Sequence, residues 1–524
     1  MAIMNSGAIR VAFAGLLLAG GLHAQAGRAA RQRPAPALPT LGFERAAQWV
    51  DEGALVVVPV LLSEPSRRDV RVSIRLDGSA LLGDDFALDE QVLLIEAGRT
   101  RGQLLLSVHD DGQVEPVETI QITLFAPKGA RLIGTQVHTM GIGGPRLGGP
   151  MEGLTPDELA AFRRGRPVFE HRFTPSEGLG PFYNATSCAS CHSTPVAGGS
   201  SPLYRNFYLG VYQFGATPGA QSSAIPPFLS QVIPAYGSGN FHADAEFTLE
   251  GGRPLIPDDV FGFPVISAQR NSVPTFGVGL FEFVSDDTIL EHYDPFDSDN
   301  DGISGQVNTQ LNGTAIGRMG LKAQVNNIEL FTRGPLQAQM GITSEAVEGG
   351  AGIVSLMRMQ VGSDPNDPTE DDDGVPDPEI SHQDLSDLIA FARFLAPPAQ
   401  VPFSQAALDG QAQFDTLGCT SCHLPSLASS RGPVEAYTDL LLHDVGVDLV
   451  DNIQLGEQPA ALTEFRTQPL WGVSLAAPYL HDGRAATLSA AIEAHGGEAA
   501  ASRDAYLLLS ESERENLITF LEHL

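Results

Sequence analysis

The sequence predicts a multidomain protein, with an N-terminal all-β, immunoglobulin-like sandwich followed by a mainly α region that contains two lobes. Residues 41–142 alternate apolar and polar side chains with period two between turn residues, which is typical of short, half-buried strands. Residues 150–524 instead contain helix-start signals and apolar residues at helical spacing. A Gly- and Pro-rich stretch, residues 141–150, separates the two parts and marks a domain boundary.

Length and composition limit the classes to which the chain can belong. Its 524 residues, 43% hydrophobic and 18% charged, are enough for two or three globular domains with buried cores. The formal net charge of -32 argues against nucleic acid or an anionic membrane surface as a partner. Such acidity suits a protein that binds calcium or meets a basic electron-transfer partner, and simple solubility explains it equally well.

The first 26 residues are predicted to be a secretory signal peptide. Arg10 precedes an apolar run over residues 11–22, and Ala24-Gln25-Ala26 matches a small-x-small cleavage site. This run is too short to span a membrane, and no other stretch approaches about 18 unbroken apolar residues. We therefore expect an exported protein, periplasmic or extracellular in a bacterium, without a membrane span. Residues 27–40, rich in Arg, Ala and Pro, are predicted to be a flexible leader.

Short strands account for most of the first folded part. The period-two pattern is clearest in four stretches, residues 55–62, 70–76, 103–108 and 119–124. Turn residues separate them, at Asp77-Gly78, Gly83-Asp84-Asp85 and Asp111-Gly112. About seven short strands in about 100 residues favour an immunoglobulin-like sandwich over residues 41–142.

All four cysteines of the chain lie in two Cys-x-x-Cys-His pentapeptides. They are Cys188, Cys191 and His192 in the first, and Cys419, Cys422 and His423 in the second. This spacing is the attachment signature of a c-type haem, in which two thiols bind the porphyrin and the histidine ligates the iron. A zinc site, a redox-active dithiol and structural disulfides are the alternatives, and none of them requires a histidine after each pair.

A helix is predicted before each pentapeptide, and another one ends the chain. Thr155-Pro156-Asp157-Glu158 is a helix-start signal, residues 404–414 have helical spacing, and Ser510-Glu511-Ser512-Glu513 begins the last helix. This is the layout of c-type cytochromes. We expect a first lobe over residues 150–398, enlarged by insertions after about residue 200, and a second lobe over residues 399–524.

One acidic loop in the first lobe has the spacing of a calcium site. Residues 297–305 match the D-x-D-x-D-G start of an EF-hand-type loop, with Asp297, Asp299 and Asp301 at alternate positions. The twelfth position, where such a loop has Glu, is Asn308. Calcium is predicted here because three carboxylates around a Gly turn otherwise repel one another.

The N-terminal module resembles a Calx-β domain. The resemblance is carried by Val50-Asp51-Glu52-Gly53, Gly83-Asp84-Asp85-Phe86, Glu96-Ala97-Gly98 and residues 110–119. In that family, acidic residues at one end of the sandwich can bind calcium. The resemblance therefore implies a second calcium site at Glu52, Asp85, Asp110, Asp111 and Glu118. A purely structural spacer is the alternative to calcium binding, and adhesion, spacing or docking of a partner protein is the role that we expect of this module.

The rest of the chain resembles the di-haem c-type oxidoreductase family, a peroxidase-like family. The matching stretches are residues 180–187, 317–323, 391–398, 437–444, 465–472 and 479–488, followed by His495-Gly496-Gly497-Glu498. This family is related to bacterial di-haem cytochrome c peroxidases and to the di-haem enzyme that matures methylamine dehydrogenase. The resemblance implies two covalently bound c-type haems.

The resemblance also implies different tasks for the two haems. His192 is the expected ligand of a peroxide-reactive haem whose iron keeps one open face, and His423 is that of an electron-transfer haem with two strong ligands. The second ligand of the electron-transfer haem is expected at His495, fourteen residues after the His of the Tyr-x-His-Asp-Gly motif. His481 and His443 are the alternatives for that ligand.

Cleavage of the O–O bond needs an acid or base beside the open face. Where the relatives have that acid, this chain has Gln339, an amide that cannot move a proton. Glu282 is the predicted substitute, and a structural ion pair with Arg270 is the other interpretation of that residue. The relatives also use a Trp between the haems; the expected segment offers Leu321, and Trp471 is the candidate replacement.

The predicted function is that of an exported, peroxidase-like di-haem oxidoreductase that passes electrons from the C-terminal haem to the open N-terminal haem. The expected partners are H₂O₂ or a related oxidant and an electron-donor redox protein. The alternatives are a non-enzymatic electron-transfer cytochrome or redox sensor, favoured by Gln339 and Leu321, and an oxidase of a partner protein.

Overall fold

The computed structural model describes 16 segments of the chain. They are residues 38–88, 90–110, 118–142, 147–180, 182–201, 207–212, 232–233, 236–237, 249–250, 253–254, 259–260, 263–309, 315–345, 374–450, 453 and 461–524. By backbone contacts the chain divides into residues 1–38 and residues 39–524. The predicted signal peptide and most of the predicted leader lie outside the described residues, as does Asp111.

Ten strands of the first part form two five-stranded sheets that share one core. In chain order they are β1 (Thr40–Phe43), β2 (Ala47–Val50), β3 (Leu55–Leu62), β4 (Val70–Gly78), β5 (Phe86–Leu88), β6 (Val92–Ile95), β7 (Arg101–Val108), β8 (Glu118–Lys128), β9 (Arg131–Leu132) and β10 (Val137–Ile142). The sheet orders are β5-β7-β3-β1-β9 and β2-β10-β8-β4-β6. The predicted all-β sandwich is confirmed.

The period-two pattern explains how each sheet faces the core. In β3, Val56, Val58 and Val60 are buried, whereas Leu55 and Val57, which alternate with them, are exposed. Most neighbouring strands are antiparallel, but β1 pairs in parallel with β9, and β2 with β10. These short parallel partners raise the number of strands above the seven that the turn spacing suggested.

The second part contains eight α-helices and ten short strands among the described residues. The helices are α1 (Pro156–Glu170), α2 (Asp286–Leu290), α3 (Ile328–Met340), α4 (His382–Phe394), α5 (Gln405–Thr416), α6 (Leu488–Ala494), α7 (Ala500–Leu508) and α8 (Glu511–His523). The strands are β11 (Phe182–Tyr183), β12 (Phe207–Tyr212), β13 (Val232–Ile233), β14 (Tyr236–Gly237), β15 (Leu249–Glu250), β16 (Arg253–Pro254), β17 (Asp259–Val260), β18 (Phe263–Arg270), β19 (Leu442–Asp444) and β20 (Glu464–Arg466). Within the described part of the chain, no helix combines the length and apolarity that a membrane crossing needs.

The predicted helix starts are confirmed by their caps. Thr155 and Ser510 each form a capping box with the Glu three residues later, and Ser404 caps α5 by accepting a hydrogen bond from the Ala407 N–H. A hydroxyl at these positions satisfies one of the N–H groups that the first turn leaves unpaired.

Two helix pairs repeat the same close crossing, α1 with α4 and α5 with α8. A Cβ on Gly165 of α1 would lie 1.9 Å from the Asp387 carbonyl oxygen of α4, and a Cβ on Gly410 of α5 would lie 2.0 Å from the Asn516 carbonyl oxygen of α8. Only glycine permits such an approach. An aromatic pair stabilises each crossing, Phe162 with Phe391 at 5.0 Å and Phe414 with Phe520 at 5.4 Å between ring centroids.

Each helix pair stands next to one Cys-x-x-Cys-His pentapeptide. The turn Cys188–Ser190 follows α1 and contacts it, and the turn Cys419–Ser421 comes directly after α5. The fold therefore presents both pentapeptides in the same way, each beside a glycine-mediated helix crossing.

Candidate active site

The first pentapeptide forms one tight turn. Ser187 begins it by accepting a hydrogen bond from the Ser190 N–H at 3.1 Å, and the His192 N–H donates to the Cys188 carbonyl at 3.1 Å. The imidazole of His192 is oriented by Nδ1, which lies 3.1 Å from the Gly199 carbonyl oxygen.

The second pentapeptide has the same construction. Gly418, at φ 80°, turns the chain out of α5, and the His423 N–H donates to the Cys419 carbonyl at 3.0 Å. The Nδ1 of His423 lies 2.9 Å from the Tyr437 carbonyl oxygen. No disulfide joins the cysteines of either pentapeptide.

These contacts determine which nitrogen of each histidine can bind a metal. A carbonyl oxygen only accepts, so Nδ1 must carry the hydrogen and Nε2 keeps its lone pair. Burial lowers the pKa of His192, and it lowers that of His423 to about 4, so both imidazoles are neutral at neutral pH. A neutral imidazole held by a backbone carbonyl is the usual arrangement of a metal-ligating histidine.

The thiols differ from those of a redox-active dithiol. Burial raises the pKa of Cys188 and of Cys419 to about 12, so both are protonated thiols. A catalytic dithiol needs the opposite, a lowered thiol pKa.

Polar atoms near the first pentapeptide also fit a bound prosthetic group. The side-chain oxygens of Ser200, Ser201 and Asn271 are buried and have no hydrogen-bond partner among the described residues. Buried polar atoms are almost always paired in native proteins. These features together fit a covalently attached haem. The two thiols would bind the porphyrin, the imidazole would ligate the iron, and the unpaired serine hydroxyls could hydrogen-bond to the haem carboxylates.

A third imidazole shares the arrangement of His192 and His423. His495 ends α6, and its Nδ1 lies 2.7 Å from the Ala491 carbonyl oxygen. Burial lowers the pKa of His495, and a charge on His495 or on His443 would lower the pKa of His423. The Gly496 N–H, next to His495, donates to the Val445 carbonyl at 3.0 Å, and ligation of the second iron by His495 stays a prediction.

The two alternatives to His495 have other contacts. His443 lies between carboxylates, with Nε2 2.7 Å from Asp439 and Nδ1 3.0 Å from Glu498. Burial lowers its pKa, but hydrogen bonds, first of all to Asp439, outweigh burial and raise the pKa to about 12. A protonated imidazole with two donors has no lone pair for a metal. His481 stacks on Phe465 with 4.4 Å between ring centroids.

Gln339 lies against the segment that leads into the first pentapeptide. Its side-chain oxygen accepts a hydrogen bond from Asn184 Nδ2 at 3.0 Å, and its carbonyl accepts from the N–H groups of Asn184 and Ala185. The end of α3 is therefore held beside the first Cys-x-x-Cys-His turn.

Glu282 is anchored through both carboxylate oxygens. Oε2 accepts a hydrogen bond from Arg393 Nε at 2.6 Å, and Oε1 accepts one from the Ile328 N–H at 2.6 Å, at the start of α3. Its ion-pair partner is thus Arg393, not Arg270. The contact joins α4 to α3, and the role of Glu282 in proton transfer stays a prediction.

Comparison with known proteins identifies the family. A family model described as "Di-haem oxidoreductase, putative peroxidase" matches residues 255–524, just over half of the 524-residue chain. The chain belongs to the di-haem oxidoreductase family. The matched part includes the second pentapeptide and His495, whereas the first pentapeptide lies before it.

One curated protein matches a shorter part of the chain. Methylamine utilization protein MauG of Methylorubrum extorquens is 30% identical over 117 residues, which are 20% of this chain and 31% of that protein. The chain thus spans about a third of the length of this curated relative.

Two solved structures are also similar. The apo form of the Calx CBD1 domain is 26% identical and covers 20% of this chain and 96% of its own, with a TM-score of 0.19. Hydrazine synthase of Kuenenia stuttgartiensis is 16% identical and covers 72% of this chain and 90% of its own, with a TM-score of 0.33.

Membership of the family makes this di-haem oxidoreductase a redox enzyme and implies two c-type haems. The residues present fit that cofactor at both pentapeptides. His192 and His423 would each ligate one iron through Nε2, with Cys188 and Cys191 holding the first porphyrin and Cys419 and Cys422 the second.

The di-haem oxidoreductase also has a buried aromatic pair that includes Trp471. Trp471 stacks on Phe281 with 5.5 Å between ring centroids and an interplanar angle of 9°. Both rings are buried, and the guanidinium of Arg466 lies 5.8 Å from the Phe281 centroid. The pair provides a packed aromatic contact, and its role in electron transfer stays a prediction.

The predicted calcium ligands have different surroundings. Oxygens of Asp297, Asp299 and Asp301 lie within 4.8 Å of one another, the only such acidic group found among the described residues. Asn308 is buried and donates to the Lys322 carbonyl at 2.7 Å. In the sandwich, Glu52, Asp85, Asp110 and Glu118 are described and belong to no such group, and Asp111 lies outside the described residues.

Sequence reasoning missed the backbone groups that orient the site. The carbonyls of Gly199, Tyr437 and Ala491 hold the three imidazoles. Any residue offers a carbonyl, so no side-chain pattern can reveal them. A signal did exist for the helix crossings, because Gly165 and Gly410 each lie inside a helical pattern where glycine is costly.

Proposed function

We propose that this di-haem oxidoreductase is an exported, peroxidase-like enzyme that reduces H₂O₂ or a related oxidant. Each H₂O₂ takes up two electrons and two protons and leaves as two water molecules. The electrons come one at a time from a reduced redox protein, enter at the 419–423 pentapeptide and pass to the 188–192 pentapeptide.

The asymmetry between the two pentapeptides carries this proposal. A second imidazole of the same arrangement, His495, lies in a segment that packs beside the second pentapeptide, because Ser502 Oγ is 3.4 Å from the Cβ position of Gly418. The pKa of His192 is determined by burial and by the carbonyls of Gly199 and Val273, and no other imidazole contributes to it among the described residues. When bound, a c-type haem supplies an iron that exchanges single electrons and, with one face open, binds the oxidant.

The chain's own residues would orient and hydrogen-bond the reactants. Gly199 and Tyr437 keep the two imidazoles in the tautomer that can ligate iron. The side chain of Gln339 has its oxygen on Asn184, so its NH₂ group remains a potential donor toward an oxidant. An amide can position an oxidant by a hydrogen bond, but it cannot transfer a proton.

A second candidate function is the oxidation of a partner protein, with the sandwich as a docking module. Two observations favour it: Gln339 is an amide, and both oxygens of Glu282 are hydrogen-bonded to Arg393 and to the start of α3. Neither residue is thus poised as an acid or base for peroxide. The likeness to a methylamine utilization protein is compatible with this candidate but spans only part of that protein.

A steady-state assay separates the two candidates. The holoprotein is given H₂O₂ and a reduced c-type cytochrome, beside a Gln339→Glu variant and a Gln339→Ala control. Peroxidase function predicts measurable wild-type turnover and a rise of at least about tenfold in Gln339→Glu, since general acid–base catalysis contributes roughly 10²–10⁴-fold. An open, high-spin first haem without turnover in any of the three proteins would support the second candidate and contradict the first.

Two further parts of the proposal have direct tests. Export predicts that the mature protein begins after Ala26, which N-terminal sequencing of the secreted protein would show. Calcium at the loop of Asp297, Asp299 and Asp301 predicts one bound Ca²⁺ by calorimetry and its loss in Asp299→Asn. The sandwich site at Glu52, Asp85, Asp110, Asp111 and Glu118 predicts one more ion, and its absence would leave the module as a spacer or docking domain.

A further inference from the structure

A seven-residue segment connects the surroundings of the two haem sites. Residues 269–275, here called the strap, run from the end of β18 toward the 3₁₀-helix Val278–Phe283. One end of the strap is hydrogen-bonded to residues 478–482 of the C-terminal lobe. Gln269 Nε2 donates to the Asp482 carbonyl at 2.8 Å, the Asn271 N–H donates to the His481 carbonyl at 2.8 Å, and Asn271 Nδ2 donates to the Pro478 carbonyl at 2.9 Å.

The other end of the strap contacts the loop behind His192. The N–H and the hydroxyl of Thr275 donate to the Gly198 carbonyl at 2.7 and 3.1 Å, and the Gly198 N–H donates to the His192 carbonyl at 2.9 Å. The Val273 carbonyl also raises the pKa of His192, against the larger effect of burial. Through Thr275 and Gly198, the strap is therefore linked to the backbone of His192.

The loop at the first end leads directly to His495. Tyr479 pairs with Ala485 to close the loop, Thr487 caps α6, and α6 ends at His495. A displacement of residues 478–482 would therefore move the short helix that carries His495.

The contacts of Asn271 are protected from water. Asn271 is 3% exposed, so its two hydrogen bonds have no competing solvent. A hydrogen bond broken at a buried site leaves both groups without water or another partner, so residues 478–482 are expected to follow Asn271 when it moves. Two packed elements joined in this way can transmit a displacement between sites.

We propose that the strap is a positioning element that couples the two haem ligands, with Asn271 as its central residue. A displacement of the loop behind His192 would move the strap through Gly198 and Thr275, and it would reach His495 through Asn271, residues 478–482 and α6. This inference rests on the proposed function, since it requires a haem at each pentapeptide and His495 as a ligand. It predicts that a ligand bound at the first haem changes the equilibrium between the oxidised and reduced forms of the second haem.

The test measures this coupling in the holoprotein. The second haem is titrated from oxidised to reduced by optical spectroscopy, once without and once with cyanide bound at the first haem. The ratio of the two reduction equilibrium constants is the coupling, and linkage requires it to be reciprocal. The variants are Gln269→Ala, Asn271→Ala and the double variant. Gln48→Ala is the control, because it removes an amide donor from the sandwich, where Gln48 contacts Met140.

In the wild type we expect a ratio that departs from one by about fivefold or more, the lower end of measured couplings. In the double variant it should fall to within about twofold of one, and in Gln269→Ala to an intermediate value, while the control keeps the wild-type ratio. A purely structural strap predicts a lower melting temperature with an unchanged ratio, which would overturn the proposal.

Failure of the strap and failure of the proposed function remain distinguishable. Two haems per chain and turnover of peroxide, together with a wild-type ratio of one, would contradict only the strap. If Asn271→Ala does not fold, Gln269→Ala alone decides, because this side chain is half-buried and its loss leaves a smaller defect. A Gln269→Ala ratio equal to that of the wild type then overturns the proposal.

Discussion

At the scale of single residues, three imidazoles share one hydrogen-bond arrangement and a fourth has the opposite one. His192, His423 and His495 each place Nδ1 on a backbone carbonyl and keep the Nε2 lone pair. His443 has a carboxylate at each nitrogen and is held as a cation. The histidines that can ligate a metal are therefore distinguished by their partners, which an isolated pattern in the sequence does not show.

A substitution of His495 tests its assignment. In His495→Gly, the second haem should lose its low-spin spectrum and become high-spin, because one of its two strong ligands is gone. Added imidazole should restore the low-spin form. Electron paramagnetic resonance and optical spectra measure both changes, and His382→Ala is the control because His382 is an exposed residue. A low-spin second haem in the Gly variant without imidazole would contradict the assignment.

The ion pair of Glu282 predicts a stability effect that does not depend on catalysis. Glu282→Gln should lower the free energy of unfolding by about 2 kcal/mol, since hydrogen bonds to charged groups contribute roughly 1.5–3 kcal/mol and the Arg393 side chain is 31% exposed. Chemical denaturation measures the change. Asp77→Asn is the control, because it breaks a pair with Arg75 that is exposed on both sides and should change stability by at most about 0.5 kcal/mol. Equal changes in the free energy of unfolding for both variants would show that the Glu282–Arg393 contact stabilises the fold no more than an exposed ion pair does.

At the scale of elements, the second part is organised by two equivalent helix crossings. Gly165 and Gly410 let α1 approach α4 and α5 approach α8, and each crossing lies beside one pentapeptide. The glycines, the aromatic pairs and the turn that follows α1 or α5 recur in the same order. This repetition supports the predicted division into two lobes, whose boundaries stay a prediction.

The two helix crossings predict how much one added methyl group lowers the stability of the protein. Gly165→Ala and Gly410→Ala should each destabilise the protein by about 1–3 kcal/mol, because the new Cβ would overlap a backbone carbonyl that cannot move aside. Thermal unfolding of the holoprotein measures the effect. Gly153→Ala is the control, since nothing lies within 4 Å of its Cβ position and only its φ of 70° causes strain. Stabilities of the first two variants at or above that of the control would contradict the crossing geometry.

At the scale of the whole molecule, the sandwich is joined to the end of the chain. The Ala46 N–H, between β1 and β2, donates to Glu522 of α8, and α8 contacts β2. His138 of β10 and His523 of α8 are buried near this contact, and burial lowers the pKa of His523 and lowers that of His138 to about 4. The interface thus contains groups whose charge depends on pH.

Glu522 predicts the direction of that dependence. Burial raises its pKa from 4.5 to about 7, so the folded protein binds this proton more tightly than the unfolded chain does. The contribution of Glu522 to stability is complete below pH 4.5 and is lost as the pH rises through about 7. Relative to Glu522→Gln, the wild type should therefore lose stability between pH 4.5 and 7, by on the order of 3 kcal/mol.

Thermal unfolding of both proteins from pH 5 to pH 8 measures the difference. Glutamine keeps the acceptor for the Ala46 N–H, so the variant should gain relative stability only as the pH rises. His138 acts in the other direction, since its lowered pKa removes stability as the pH falls from 6.5 through about 4. Parallel stability curves for wild type and Glu522→Gln would show that Glu522 does not titrate in this range.

The sequence predicted the elements whose signals are local, and it left the partners between distant segments open. The caps at Thr155, Ser404 and Ser510 and the buried face of β3 agree with the structure because each depends on neighbouring residues. The strand number was underestimated because β9 and β2 are too short for a period-two pattern. The partner of Glu282 was not predicted, because Arg393 lies 111 positions away along the chain.

By itself, the sequence predicted the attachment chemistry, because two thiols and a histidine within five residues lie close together in any fold. It also determined the sandwich, because alternation along a strand decides which side chains can be buried. Only the tertiary structure decided which carbonyls orient His192, His423 and His495, that His443 is held between carboxylates, and that residues 269–275 join the two sites. Those features depend on groups that the fold brings together from separate parts of the chain, and most of these are backbone groups, which are the same in every residue.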